Sequence, residues 1–142
     1  MDYRIYRSRA ELDSTNYVEV GAGKYSQKHW QEGCLFIEEE AFIRAEGILA
    51  QHFPSYDHIA FQDIPRLVGK RVIAAWRDAA ARIPQLNPAE IYSLLNLDVV
   101  MLQVDPVALD RDRAAIAAML NELADACDEF YEQDEWLRIL GM

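Results

Sequence analysis

Leu109, Ile116, Leu123, Phe130 and Leu137 stand seven residues apart, with Leu120 and Cys127 at the intermediate position of the same repeat. Apolar residues at this spacing line one side of an α-helix and drive that side against the rest of the chain, so the last quarter is expected to be one long amphipathic helix. Asp105-Pro106 just before it combines a capping residue with a proline suited to the first helical turn. The intermediate position is Arg113 at one end and Asp134 at the other, which leaves only the middle of the seam fully apolar. A helix packed on its own domain fits that pattern better than an extended coiled coil, although the same middle could serve as the seam of a homo-oligomer.

The opposite side of this predicted helix is acidic. Glu122, Asp125, Asp128, Glu129, Glu132, Asp134 and Glu135 place seven carboxylates between positions 122 and 135, with no Lys or Arg among them. Pairs such as Asp125 and Glu129, or Asp128 and Glu132, are like-charged at helical spacing, and each costs an isolated helix a few tenths of a kcal/mol. Together the repulsion reaches about 1–2 kcal/mol before salt screening. Two sources of compensation are available: a basic partner protein, or the basic stretch that carries Arg66, Lys70, Arg71, Arg77 and Arg82. Tyr131 and Trp136 lie among the carboxylates and are expected to serve as aromatic anchors for a partner.

The net charge of −10 is concentrated in two blocks. Residues 35–64 hold six acids and one base, and residues 105–142 hold ten acids and three bases; the remaining residues are near neutral or slightly basic. Such a surface repels nucleic-acid phosphates and anionic lipid, and it attracts basic proteins. With 142 residues, 51 % of them apolar and 27 % charged, the chain is expected to form a single domain over 1–142. It carries no uncharged apolar run of membrane-spanning length and no secretory signal at its start. Cys34 and Cys127 are far apart and in no paired motif, which suggests two buried free thiols and a cytoplasmic setting.

The first third reads as β-structure. Tyr3-Arg4-Ile5 and Tyr17-Val18-Glu19-Val20 alternate apolar and charged residues, and turn-forming residues bound the second run. From Gly33 the period becomes helical, with Leu35, Phe42 and Leu49 on one stripe that ends near Pro54. Residues 58–64 read as a further strand, with Pro65 in the first turn of the helix that follows. That helix carries Val68, Val72, Ile73, Trp76, Ala80 and Ile83 on its apolar side, and its Gly69 is out of place for a helix interior. Asn87-Pro88-Ala89-Glu90 approximates a capping box. Residues 98–104 are compatible with either a buried strand or a helical continuation. The expected fold is therefore α+β: a small antiparallel or mixed sheet from the N-terminal strands and the 58–64 segment, against three or four helices, the last long and acidic.

No catalytic, cofactor or metal motif emerges. Gly21-Ala22-Gly23-Lys24 lacks the upstream glycine and the following Ser or Thr of a phosphate-binding loop, and reads as a turn that needs positive φ. His29, Cys34, Glu38, His52, Asp57 and His58 match no metal-ligand spacing. Two functional expectations remain. The first is a small intracellular protein that binds a basic partner through Glu122, Asp125, Asp128, Glu129, Tyr131, Glu132, Glu135 and Trp136, as an immunity protein or antitoxin neutralises a basic nuclease. The second is an enzyme or small-ligand binder with a pocket between sheet and helices near Trp30, His52 and His58.

Overall fold

The computed structural model describes residues 1–58, 60–100 and 104–141. Strands β1 (Ile5–Tyr6), β2 (Tyr17–Ala22), β3 (Leu35–Glu38), β4 (Phe61–Pro65) and β5 (Trp136–Leu140) form one sheet in the order β1-β3-β2-β5-β4. Every neighbouring pair is antiparallel. Helices α1 (Glu39–His52), α2 (Arg66–Arg82), α3 (Pro88–Leu94) and α4 (Pro106–Gln133) accompany it. The fold is α+β, with a long C-terminal helix.

Strand residues point alternately to the two faces of the sheet. Val18, Val20, Leu35, Ile37, Ile64, Leu137 and Ile139 pack into one continuous core with the helices. Trp76 of α2 is buried at its centre, and its indole N–H donates to the Ala45 carbonyl of α1 at 3.1 Å. Tyr131 of α4 donates its hydroxyl proton to the Ile64 carbonyl at 2.9 Å, which pins the long helix to β4. Gly69, awkward for helix propensity, is required here: a Cβ on α2 at that position would overlap the Tyr131 phenol.

The capping signals in the sequence are realised. The Asn87 side chain accepts from Glu90 N–H at 2.9 Å and the Glu90 carboxylate accepts from Asn87 N–H at 3.0 Å, a complete capping box for α3. Asp105 caps α4 by accepting from Val107 N–H at 2.9 Å. Arg113, the polar interruption in the seam, donates to the carbonyls of Ile83 and Leu86 beyond the end of α2. It thereby ties α4 to the turn after α2, where the Ile83 carbonyl also accepts from Leu86 N–H at 3.2 Å.

Several boundaries differ from expectation, and the strand expected over 58–64 begins only at Phe61. Leu35 begins a strand, not a helix: Leu35, Phe36 and Ile37 are all buried because β3 lies inside the sheet with both faces covered, and the helix starts only at Glu39. Pro65 closes β4 and stands at the cap position of α2 instead of its first turn. The largest difference is at the C-terminus. Helix α4 stops at Gln133, and Trp136–Leu140 crosses back as β5 between β2 and β4. Leu137, the fifth member of the seven-residue series, is thus a strand residue. Residues Leu97–Val100 form a 3-10 turn, and the undecided segment beyond them, 101–103, lies outside the described residues. The apolar middle of α4, including Leu120, Leu123 and Cys127, is buried in the domain core and is not available as a seam between copies.

Candidate functional site

The first region that holds chemistry beyond packing is the acidic side of α4. The basic helix α2 runs beside it. Lys70 Nζ lies 2.6 Å from Asp128, and Arg77 reaches both Asp125 at 2.9 Å and Asp128 at 2.7 Å. Arg66 lies 3.3 Å from Glu135, which follows the helix end. Partial burial would raise the Asp128 carboxyl, but Lys70 and Arg77 outweigh it and hold that group below the usual carboxylate range. Glu122, Glu129 and Glu132 are exposed and make no ion pair among the described residues. The acidic residues thus divide into an inner set matched by α2 and an outer set facing solvent.

The two aromatic anchors do not stand on this surface as expected. Tyr131 is 1 % exposed and spends its hydroxyl on Ile64, because the side of α4 it occupies faces Gly69 of α2. Trp136 lies on β5, half-buried, with the Lys24 ammonium 4.3 Å from its ring centroid. Glu135 sits between helix and strand. Of the expected carboxylates, Glu122, Asp125, Asp128, Glu129 and Glu132 lie on the helix.

The second region lies on the face of the sheet turned away from the helices, under the loop of residues 23–34. Here the register places Phe61 opposite Leu140, Leu140 opposite Glu19, and Glu19 opposite Phe36, as one row across four strands. The adjacent row sets Asp63 opposite Arg138 and Arg138 opposite Gly21. Gly21 has no side chain, and the Arg138 guanidinium passes over it to the Ala22 carbonyl, to Gln31 Oε1 at 2.9 Å and to Cys34 Sγ at 2.9 Å. A Cβ at Gly21 would stand 2.6 Å from Cys34 Sγ and 2.9 Å from the guanidinium.

Loop 23–34 is fastened to three strands. Gly23 N–H donates to the Trp136 carbonyl at 2.7 Å, Tyr25 N–H donates to Asp63 at 2.8 Å, and Trp30 N–H donates to the Glu19 carboxylate. Gly23, Gln27, Trp30 and Gly33 all adopt positive φ, the two non-glycines at 65° and 59°. Positive φ at Gly23 agrees with the turn expected there. Trp30 stacks on Phe36 at 5.6 Å between centroids, while Tyr25, His29 and Phe61 form a second aromatic group with centroids 4.5–5.6 Å apart. Between loop and sheet remains a cavity of about 350 Å³, bordered by Tyr17, Glu19, His29, Trp30, Phe61 and Leu140. Burial and the neighbouring Glu19 carboxylate push the Cys34 thiol up to about 11, against the pull of Arg138, which disfavours the thiolate. Cys127 is buried and free as well.

Among the described residues, Trp30, His52 and His58 are not seen to line one cavity. Trp30 borders the cavity on the loop side of the sheet, whereas His52 lies in the last turn of α1 and His58 is engaged with that helix. Imidazole Nδ1 of His58 faces both Glu46 oxygens at 2.6 and 2.8 Å, and Nε2 faces Glu39 at 2.8 Å. Tyr56 donates to Glu46 at 2.9 Å. A ring protonated at both nitrogens can donate to both carboxylates, and in that form His58 ties the segment before β4 to α1. Burial alone would lower His58, yet Glu46 and Glu39 raise it; burial raises Glu46 in spite of His58 and Tyr56.

Sequence reasoning missed Arg138, Gln31, Phe61 and Leu140. Arg138 follows the last member of the seven-residue series read as helix, and only the strand assignment brings it beside Gly21. Glu19, flanked by Val18 and Val20, looked like the solvent side of an alternating strand, and nothing local marks it as buried. Among the described residues no three His, Cys, Asp or Glu side chains are grouped to hold a metal ion, and no helix is long and apolar enough to cross a membrane. Comparison with protein-family models, with curated proteins and with solved structures finds no match to this chain.

Proposed function

We propose that this protein acts by binding another protein, one with a basic surface, through the outward carboxylates of α4, and that it neutralises that partner as an immunity protein or antitoxin does. The observation that supports this reading is the division of the acidic residues. Helix α2 supplies cations to Asp125 and Asp128 and none to Glu122, Glu129 and Glu132. Internal pairing therefore accounts for the inner set only. A helix that holds three solvent-facing carboxylates against self-repulsion offers a partner a rigid row of negative charge, and it costs no ordering on binding. An enzyme that cleaves nucleic acid must be basic around its site, so such a row can occupy the track where phosphates would lie.

Reversal of the outer set tests the reading without disturbing the fold, since these residues make no internal ion pair. The protein and its Glu122→Lys/Glu129→Lys/Glu132→Lys variant are each immobilised and exposed to native-host extract at low salt. A single basic protein is expected on the unaltered chain, released as ionic strength rises, and absent from the variant. Retention of the same protein with unchanged affinity by the variant would rule the acidic row out as the contact.

A further inference from the structure

The polar groups that border the cavity beneath loop 23–34 are engaged with one another. Tyr17 donates its hydroxyl proton to Asp13 at 2.8 Å, and His29 Nε2 faces the Tyr25 hydroxyl at 3.2 Å. The Glu19 side chain, 4 % exposed, accepts from the Trp30 backbone N–H and is paired with the Arg138 guanidinium at 3.9 Å, with Cys34 beside it. What is left to line the space of about 350 Å³ is largely the apolar surface of Tyr17, Trp30, Phe61 and Leu140.

Two observations distinguish this space from a packing gap. Trp30 holds φ at 59°, a left-handed conformation that bulky side chains rarely adopt. Such a conformation persists only where the surroundings impose it, and it recurs at ligand clamps. The bond to Glu19 fixes the Trp30 backbone and the stack on Phe36 fixes its ring, so the indole stands as a preset wall of the cavity. Phe61 at the rim is 45 % exposed, a large ring left in water although Tyr25 and His29 stand only 4.5 and 5.0 Å from it, between centroids. A ligand that covers it recovers burial that the fold alone forgoes.

We propose that this cavity binds a small uncharged aromatic molecule, of the size of a substituted benzene, which packs against Trp30 and Phe61. The size follows from the volume, which lies in the lower part of the range of small-molecule pockets. The absence of charge follows from the lining. An ion brought there leaves water and meets no free counter-charge, because Glu19 and Arg138 already face each other. The attraction of ring faces for a cation is smaller than the hydration that cation would lose, and the net charge of −10 opposes an anion. A ligand ring gains contact with the lining rings beyond the area it buries. The site shares no residue with the acidic row of α4, so it stands or falls apart from the binding of a basic partner.

Three planar compounds of nearly one shape separate charge from fit: acetophenone, benzamidinium and benzoate. Each is titrated into the full-length protein while the Trp30 indole N–H resonance is followed by NMR. Acetophenone is expected to shift that resonance and to bind at least about tenfold more tightly than either ion, as the lost hydration of an ion implies. Phe61→Ala, at the exposed rim, should weaken acetophenone at least about threefold through the loss of a ring contact. Thr15→Trp places a bulky side chain at an exposed position on the border of the cavity and should abolish the Trp30 shift. Circular dichroism confirms that each variant is folded; if Thr15→Trp is not, Phe61→Ala and the order of the three probes on the unaltered chain decide. An ion that binds as tightly as acetophenone, no shift at Trp30 with millimolar acetophenone, or unchanged acetophenone binding in either folded variant overturns the proposal.

Discussion

On the helix side of the sheet, Val18, Val20, Leu35, Ile37, Ile64, Leu137 and Ile139 meet the apolar sides of the helices in one unbroken core. On the loop side the same strands present Tyr17, Glu19, Phe36 and Arg138, all buried as well, beneath a loop instead of a helix layer. The helix side is sealed by a few long rigid elements, each with a whole face to offer. The loop side is closed by an irregular segment that must satisfy its own backbone groups, which is why Glu19, Asp63 and Arg138 stand there to receive or support it. The irregular cover also leaves the cavity. Close packing and polar fastening are two solutions to the same problem, and only the second leaves room for a ligand.

The sharpest break in that comparison is between two tryptophans. Trp76→Ala empties the centre of the helix side and removes the bond to Ala45, so a loss of about 3–5 kcal/mol is expected in denaturant unfolding. Trp30→Ala, which removes a ring already bordering a cavity, should cost less than half of that. Equal losses would mean that the loop cover is as tightly packed as the helix layer.

Two glycines sharpen the same point at smaller scale. Gly69→Ala drives a methyl into the phenol of Tyr131, which is held at both ends, and about 1–3 kcal/mol should be lost. Gly21→Ala meets Cys34 and the Arg138 guanidinium, both next to a loop that can shift, and should cost less while displacing Arg138. Thermal or denaturant midpoints rank the pair, and the opposite order would show the loop side to be the stiffer one.

The smallest effect concerns the charge that the helix layer does bury. Glu46 and His58 both bind their protons more tightly folded than unfolded. At these two groups the folded chain holds more protons than the unfolded one, so their contribution to stability falls as pH rises. The His58 contribution is fully present below its ordinary value of 6.5 and is lost as pH passes its raised value; the decline from Glu46 begins lower, at the ordinary carboxylate range. Unfolding free energies measured from pH 5 to 9 should show this slope, reduced above pH 6.5 in His58→Gln. Superimposable profiles for the two proteins would remove the imidazolium from the account.

The helix side was largely readable from the chain, because a helix declares itself through near neighbours. The stripe from Leu109 to Phe130, the box at Asn87 and Glu90, and the cap at Asp105 all concern residues within a turn or two of one another. The loop side was not readable. Glu19 resembles any polar residue on an alternating strand until the loop from Gly23 to Gly33 folds over it. Trp30 was expected at a pocket with His52 and His58, but its relation to Glu19 and Phe61 depends on strand register. Part of the acidic face fell between these cases. Its helical placement was legible through Glu132, and the matching of Asp125 and Asp128 by Arg77 and Lys70 was one of two stated alternatives.

By itself the sequence determined that the chain is α+β, where α3 and α4 begin, and that the outer side of α4 is acidic. Only the tertiary structure decided that Leu35–Ile37 and Trp136–Leu140 are strands, that Tyr131 is a buried strut, and that Glu19 and Arg138 meet under a loop. The reason is physical. A short apolar run such as Trp136-Leu137-Arg138-Ile139-Leu140 satisfies a helical stripe and a two-faced strand equally well, and periodicity cannot separate them. What separates them is the open ladder edges of β2 and β4, distant in sequence, whose unpaired backbone groups take up a strand and not a helix.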